Sequence, residues 1–509
     1  MIKTVNIFKG EEMNKSFMPF SLLVIISISL STIDASETKI NQAQRLSWEG
    51  KYNEAIIEYN KILSTDPENI EALDGKAETL SWRGQYKESI ETYNKLLVKR
   101  YSAKIARQKA RVLCWTQDFR GAIFAYQEAY EKTKDEGTRL EGLAKKAWWD
   151  GHILTAINYY EELLKIEPDN LEARSDLAQI ESYEGLPEKA IENYEYITAR
   201  HKWHFRAQEG LEKTNIVYEK ASLTPTFFWF SSTSPSRDTY IRRFYSEILF
   251  NIPIQKHYSF LLGYNLDNFN YPNSSIVRHY GVMGLKASLN ARLWLNTLYG
   301  VTAYTSNSIS SQKYSAQLGF KPLEPVTLTI VSKRDDLINN KTVLVKGLHA
   351  TDIGINAMIK INRFTQTTLE YKQSFINDKN TENYLSYEQQ LFFLKAPTEL
   401  TLIGGINYQD WKTVAVDYFS PQHFWSVPVT LRWRHYLNKN DLYYGARDTY
   451  YGVRYKFQVD KGTTIFNGGG IEFHHDFSNR IGLHIETFGN YSNVYKDFGV
   501  FLGFVGYFL

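Results

Sequence analysis

The sequence predicts a multidomain fold in which an α-solenoid of helical hairpins precedes an antiparallel transmembrane β-barrel of about sixteen strands. Three observations lead there. An aromatic residue closes a short helical segment five times at a spacing of 33 or 34 residues. After about residue 220 the helical pattern gives way to stretches that alternate polar and apolar residues and are rich in Tyr and Phe. The connections between those stretches alternate between short and long.

The repeats come first. The recurring aromatics are Trp48, Trp82, Trp115, Trp149 and Tyr183. Aligned on the turn that follows each, the repeats carry Gly50, Tyr52, Ala55, Tyr59 and Pro67; Gly84, Tyr86, Ser89 and Tyr93; Phe119, Ala122 and Tyr126; Gly151, Ala156, Tyr160 and Pro168; and Gly185, Ala190 and Tyr194. A small residue recurs on each first helix, at Ala43, Ala77, Ala110, Ala144 and Ala178. Glycine ends a helix by taking a left-handed conformation, alanine lets two helices approach, and the ring fills the gap between units. One hairpin cannot bury its apolar face, so the units stack into a superhelix with a concave groove. These spacings match the tetratricopeptide pattern over about residues 36–202. A further helix over Phe205–Tyr218 is expected to cap the array. In tetratricopeptide domains the ladder position faces the groove, so the five rings are candidates for binding a sugar or a peptide. Packing between adjacent repeats accounts for them as well.

Strand-like stretches follow, among them Tyr240–Asn251, Arg292–Thr305, Phe364–Phe375, Phe424–Leu437 and Asp497–Leu509. Short connections are expected at Asn290-Ala291, Lys321–Pro325, Ile361–Arg363, Lys395–Thr398, Asn438–Asn440 and Ser478–Arg480. Longer polar ones are expected at Ser231–Asp238, Tyr271–Ile276, Asp335–Gly347 and Lys412–His423. An even strand number puts both ends of the barrel on the short-turn side, which is the periplasmic side of an outer-membrane barrel. Period-two alternation assigns the faces. Trp425, Val427, Val429, Leu431 and Trp433 should meet lipid, while Thr430, Arg432, Arg434 and Tyr436 face the lumen. The candidate pore lining is Arg243, Glu247, Glu370, Lys372, Arg432, Arg434, Arg454, Lys456, Glu472 and Glu486. Arg432, Arg434, Arg454 and Lys456 form a basic strip that favours anions unless lumen carboxylates such as Glu472 and Glu486 pair with it. The chain closes on Phe504-Val505-Gly506-Tyr507-Phe508-Leu509, an aromatic strand of the kind that barrel-assembly machinery reads.

The N-terminus reads as a secretion signal over residues 1–35. Lys15 precedes a mostly apolar run from Phe17 to Leu30, Ala35 lies where cleavage would fall, and Met13 is a second candidate initiator. The expected division is therefore 1–35 signal, 36–220 periplasmic repeat domain, and 221–509 outer-membrane barrel. Residues 36–220 are net acidic and residues 221–509 net basic, and neither has the dense basic run of a nucleic-acid surface. Cys114 is the only cysteine, which rules out an intramolecular disulfide.

Catalytic motifs are absent: there is no phosphate loop, HExxH or nucleophile elbow. Glu472, His474 and Asp476 alternate on one strand, with His484 and Glu486 on the next. A metal could be held there, but an alternating lumen face gives the same pattern, so neither metal nor cofactor is expected. Gly468-Gly469-Gly470 implies a bend or room for a neighbouring side chain.

Leu46-Ser47-Trp48-Glu49-Gly50 and Leu80-Ser81-Trp82-Arg83-Gly84, set before a barrel, resemble the YaiO-type outer-membrane proteins. The wider arrangement resembles the porins that export bacterial cellulose and poly-N-acetylglucosamine. That resemblance implies an outer-membrane pore with a periplasmic scaffold, passing polysaccharide or an anionic solute. The alternative is a membrane-anchored binding or assembly protein whose array recruits periplasmic partners. An enzyme has little support. Expected partners are outer-membrane lipid, the barrel-assembly machinery, and periplasmic proteins or polysaccharide, with no nucleic acid.

Overall fold

The computed structural model describes residues 39–116, 118–202, 204–233, 240–305, 310–338, 341–394, 397–437, 449–462 and 464–508. The expected signal over 1–35, the turn at Asn438–Asn440 and the terminal Leu509 lie outside the described residues. The described residues up to 98 and those from 99 onward form two compact units, and each is described by itself.

In the first unit, α1 (residues 39–48), α2 (Tyr52–Thr65), α3 (Ile70–Trp82) and α4 (Tyr86–Lys99) form helical hairpins. Gly50 and Gly84 close α1 and α3 at φ +76° and +83°, as the repeat pattern predicts. Asn69 starts α3 by accepting the Ala72 N–H at 2.9 Å. Ala43, Ala55 and Ala72 are completely buried around Tyr59 and Ile62. Gly75 is needed because a Cβ there would stand 2.4 Å from the Tyr59 hydroxyl. The Ser47 and Thr79 hydroxyls join the hairpins at 2.6 Å.

The second unit continues the hairpins with α5 (Ala103–Trp115), α6 (Phe119–Thr133), α7 (Glu136–Asp150), α8 (Ile153–Ile166), α9 (Leu171–Tyr183) and α10 (Pro187–Arg200). The expected final helix is α11 (Phe205–Glu219). Apolar packing runs through Leu140, Ala144, Ala156, Tyr160, Leu163, Leu177 and Ile180. A second, ionic layer lies along the odd-numbered helices. Arg111 of α5 grips Glu141 of α7, which also accepts the Tyr126 hydroxyl at 2.8 Å. Arg107 bridges Asp135 and Glu167, each at 2.6 Å. Lys145 meets Asp176 of α9 at 2.6 Å. Arg107, Arg111, Glu141, Lys145 and Asp176 are buried, Asp135 and Glu167 only partly, and each is matched by an opposite charge within hydrogen-bonding distance, the condition under which burial is tolerated.

The barrel follows. Its strands are β1 (Ala221–Thr233), β2 (Tyr240–Gln255), β3 (Tyr258–Tyr271), β4 (Ser274–Asn290), β5 (Leu293–Tyr304), β6 (Ser310–Leu323), β7 (Val326–Asp336) and β8 (His349–Asn362). They continue as β9 (Thr365–Ile376), β10 (Thr381–Leu394), β11 (Thr398–Trp411), β12 (Phe424–Tyr436), β13 (Thr449–Asp460), β14 (Thr464–Ser478), β15 (Ile481–Tyr491) and β16 (Lys496–Phe508). Each strand pairs antiparallel with its sequence neighbours, and β1 closes on β16 with Ala221 opposite Phe508. Closure satisfies every edge, which a sheet in lipid requires.

The alternation in connection length is less regular than the sequence predicts. β3 and β4 meet through Pro272-Asn273 alone, where a longer polar loop over Tyr271–Ile276 is expected. Pairing runs on to Tyr271 and Ser274, because Tyr271 and Ile276 pack inward rather than joining a solvated loop. The expected loop over Asp335–Gly347 also departs from a plain polar loop. It contains α12 (Lys341–Val345), whose Val343 and Leu344 are buried.

Candidate functional site

The alternation along each strand divides the barrel into an apolar outside and a polar inside. Trp425, Val429 and Leu431 on β12 are exposed on the outer face, as are Trp229 on β1 and Ile353 and Ile355 on β8. Arg243, Glu247, Glu370, Lys372, Arg432, Arg434, Arg454, Lys456, Glu472 and Glu486 all share the inward parity of their strands.

The basic strip is largely paired. Arg434 donates to both oxygens of Glu472, one at 2.8 Å. Arg454 pairs with Glu486, and Arg432 lies 3.5 Å from Glu399. Lys456 bridges no carboxylate among the described residues. Elsewhere Arg243 and Arg278 share Asp267, each at 2.8 Å, and Lys372 lies 3.5 Å from Glu382. Glu247 accepts the Tyr245 hydroxyl at 2.6 Å. The sequence offers Glu472 and Glu486 as partners for the basic strip, and they are; which cation meets which carboxylate, and the other pairs, depend on register between neighbouring strands.

One stretch of wall is hollow. Between β9 and β15 a cavity of about 610 Å³ is lined by Glu370, Glu388, Asn407, Arg432, Lys456 and Phe488, with further hydroxyls and amides between them. Glycine makes the room: a Cβ on Gly470 would stand 2.6 Å from the Thr487 carbonyl and 3.0 Å from Arg454 Nε. The glycine run therefore clears space for the Arg454 side chain, one of the two alternatives open from sequence.

His474 and His484 are direct cross-strand partners with ring centroids 5.9 Å apart. His474 lies 3.3 Å from Asp476 and His484 3.9 Å from Glu486. No group of three or more side chains among the described residues could hold a metal ion.

The long-loop mouth is stoppered. Val343 of α12 packs with Ile376, Trp411 and Tyr418, while its neighbour Leu344 packs with Phe269 and Ile276. β3 and β11 stand eight strands apart in a closed ring of sixteen, so the two apolar clusters that α12 joins reach opposite walls. Lys346 binds Asp417 of the β11–β12 loop at 2.5 Å, and Tyr418 is fixed there by Asp378 and Asn380.

The short-turn mouth carries helices of the array. Phe119 of α6 lies under the Arg363 guanidinium of the β8–β9 turn at 3.5 Å. Burial lowers the Arg363 pKa to about 10 against the opposing pull of Asp150. The Thr155 N–H and hydroxyl of α8 donate to Glu324 in the β6–β7 turn at 2.7 and 2.8 Å. Glu184 meets Lys321 at 2.6 Å, Glu188 of α10 meets His257 at 3.0 Å, and Glu219 of α11 meets Lys256 at 3.5 Å. The contacts thus reach the β2–β3, β6–β7 and β8–β9 turns of the rim.

The aromatic ladder does not form one exposed face. Trp115 is buried with the Arg206 guanidinium 4.7 Å from its ring centre, and Trp149 meets Phe119 edge-on at 4.3 Å. Tyr183 is 62% exposed. In the first unit Trp82 lies 6.4 Å from Tyr52, and Trp48 ends α1 partly buried.

The sequence matches no family model, and no curated protein matches it. Among solved structures, the barrel region is similar to a bacterial polysaccharide outer membrane secretin, at 10% identity over 57% of this chain and 99% of that one, with a TM-score of 0.49. It is also similar to Pseudomonas aeruginosa OpdO, at 10% identity over 57% and 97% of the two chains, with a TM-score of 0.34. A tetratricopeptide repeat protein from Parabacteroides merdae matches at 17% identity over 35% of this chain and 77% of that one, with a TM-score of 0.26. These are likenesses and carry nothing beyond that.

Proposed function

We propose that this protein is an outer-membrane pore whose helical array stands in the periplasm as a scaffold, and that it passes a polysaccharide. The observation that supports this most is the pairing of an apolar outer face with a hollow polar lumen inside one closed sheet. Exposed apolar surface on this scale is stable only against lipid. The lumen offers carboxylates, amides, hydroxyls and the Phe488 ring, groups suited to a hydroxyl-rich chain. A general preference for anionic solutes has less support, because three of the four cations of the basic strip lie against carboxylates.

The α12 stopper favours a second reading, in which the barrel is a closed anchor and the array recruits partners. Liposome swelling separates the two. Vesicles containing the purified full chain with residues 341–346 replaced by a glycine linker should swell in oligosaccharide solutions up to a size limit. Impermeability to all of them would leave the anchor reading.

A further inference from the structure

The lumen cavity carries charges that no ion pair among the described residues matches. Among the described residues, Glu370 of β9 and Glu388 of β10 bridge no cation, and Glu388 accepts only the Gln390 amide at 2.8 Å. On the far side of the same cavity Lys456 of β13 bridges no carboxylate among the described residues and feels only Asp460 of its own strand at longer range, and Arg432 of β12 holds Glu399 at 3.5 Å. Other lumen charges nearby are paired, namely Arg434 with Glu472, Arg454 with Glu486 and Lys372 with Glu382. The unmatched carboxylates and the unmatched ammonium are thus separated across the cavity. β10 and β13 lie three strand spacings apart, about 14 Å along the hydrogen-bonding direction. Between them stand Asn407 of β11 and Thr430 of β12, which carry amide and hydroxyl groups.

We propose that this cavity binds a zwitterionic saccharide, with an amino group toward Glu370 and Glu388 and an acidic group toward Lys456 and Arg432. The proposal rests on the pore reading and names the substrate class of that site. A purely anionic chain would meet two unmatched carboxylates, and a purely cationic one would meet Lys456 and Arg432. A neutral chain would leave Glu370, Glu388 and Lys456 without a counter-charge inside the barrel, where their field is focused. Only a ligand carrying both signs, spaced by a short run of sugar units, complements both sides.

The test is calorimetry of the full chain in detergent against four hexasaccharides. They are alternating glucosamine and glucuronic acid, the same oligomer N-acetylated, a glucosamine hexamer, and maltohexaose. The alternating zwitterion should bind at least ten-fold tighter than the other three. Glu388→Gln together with Glu370→Gln, and separately Lys456→Gln, should each reduce that advantage several-fold while circular dichroism stays unchanged. Equal binding of the N-acetylated oligomer or maltohexaose, no binding of any, or an advantage unaffected by both variants would overturn the proposal. Zwitterion binding without passage of any sugar in the swelling assay would instead remove the pore reading and, with it, the transport role, leaving only a saccharide-binding site.

Discussion

Glu141 shows how single residues hold the array together. Burial pushes its carboxyl up, but the Arg111 guanidinium beside it outweighs that and holds the pKa at about 2. A depressed folded pKa contributes stability above the unfolded value of 4.5, and that contribution is lost as pH falls from 4.5 toward 2. Glu141→Gln leaves the buried Arg111 without its bridging carboxylate, while Arg107 keeps Asp135 and Glu167, and should cost roughly 3–5 kcal/mol, read from helix melting at 222 nm. Glu181 behaves in the opposite sense. Burial raises its pKa from 4.5 to about 7 despite the Asn193 hydrogen bond. The folded state then prefers the neutral acid, so stability falls as pH rises from 4.5 to 7, by roughly 3 kcal/mol at the limit. Glu181→Gln should flatten the pH dependence of the melting temperature in that window. Nothing in the spacing of these acids foretells either behaviour. Both lie at ordinary helix positions, and their roles come from Arg111 and from burial, which appear only once helices stack.

At the scale of elements, the rim and the stopper carry the argument. Glu184→Lys combined with Glu324→Lys places like charge beside Lys321 and removes the acceptor at Thr155. Each contact at a partly exposed site is worth about 1 kcal/mol, so amide exchange in α8 to α10 should rise several-fold while the barrel strands stay protected. Elements with a period were readable in advance. The turn glycines, the alanines and the final helix lie where the repeat spacing puts them, and the strands keep the faces assigned by alternation. Elements without a period were harder to read. Lys321 and Glu184 are separated by 137 residues and leave no local mark. The stopper did leave one: Leu337, Ile338, Val343, Leu344 and Val345 are apolar residues inside what Asp335, Asn339, Asn340 and Lys341 make look like a polar loop. From sequence the aromatic ladder fits a groove and packing between repeats alike. The burial of Trp115 and the edge contact of Trp149 favour packing at those two positions.

For the whole molecule, closure of the sheet and the even strand number set the topology that follows. Both ends of the barrel chain, Ala221 and Phe508, lie paired at the short-turn mouth, where the array contacts the rim. A periplasmic array should therefore be spared when protease is added to intact cells, while loop 412–423 is open to attack; digestion of residues 99–220 would reverse that orientation. The central claim, that the barrel is a pore, is tested most directly by single-channel current in planar bilayers. The full chain should show low or infrequent conductance because α12 joins apolar clusters that reach opposite walls, and replacement of residues 341–346 by a glycine linker should give steady conductance several-fold larger. Silence from both proteins, with the barrel folded and inserted, would contradict the account.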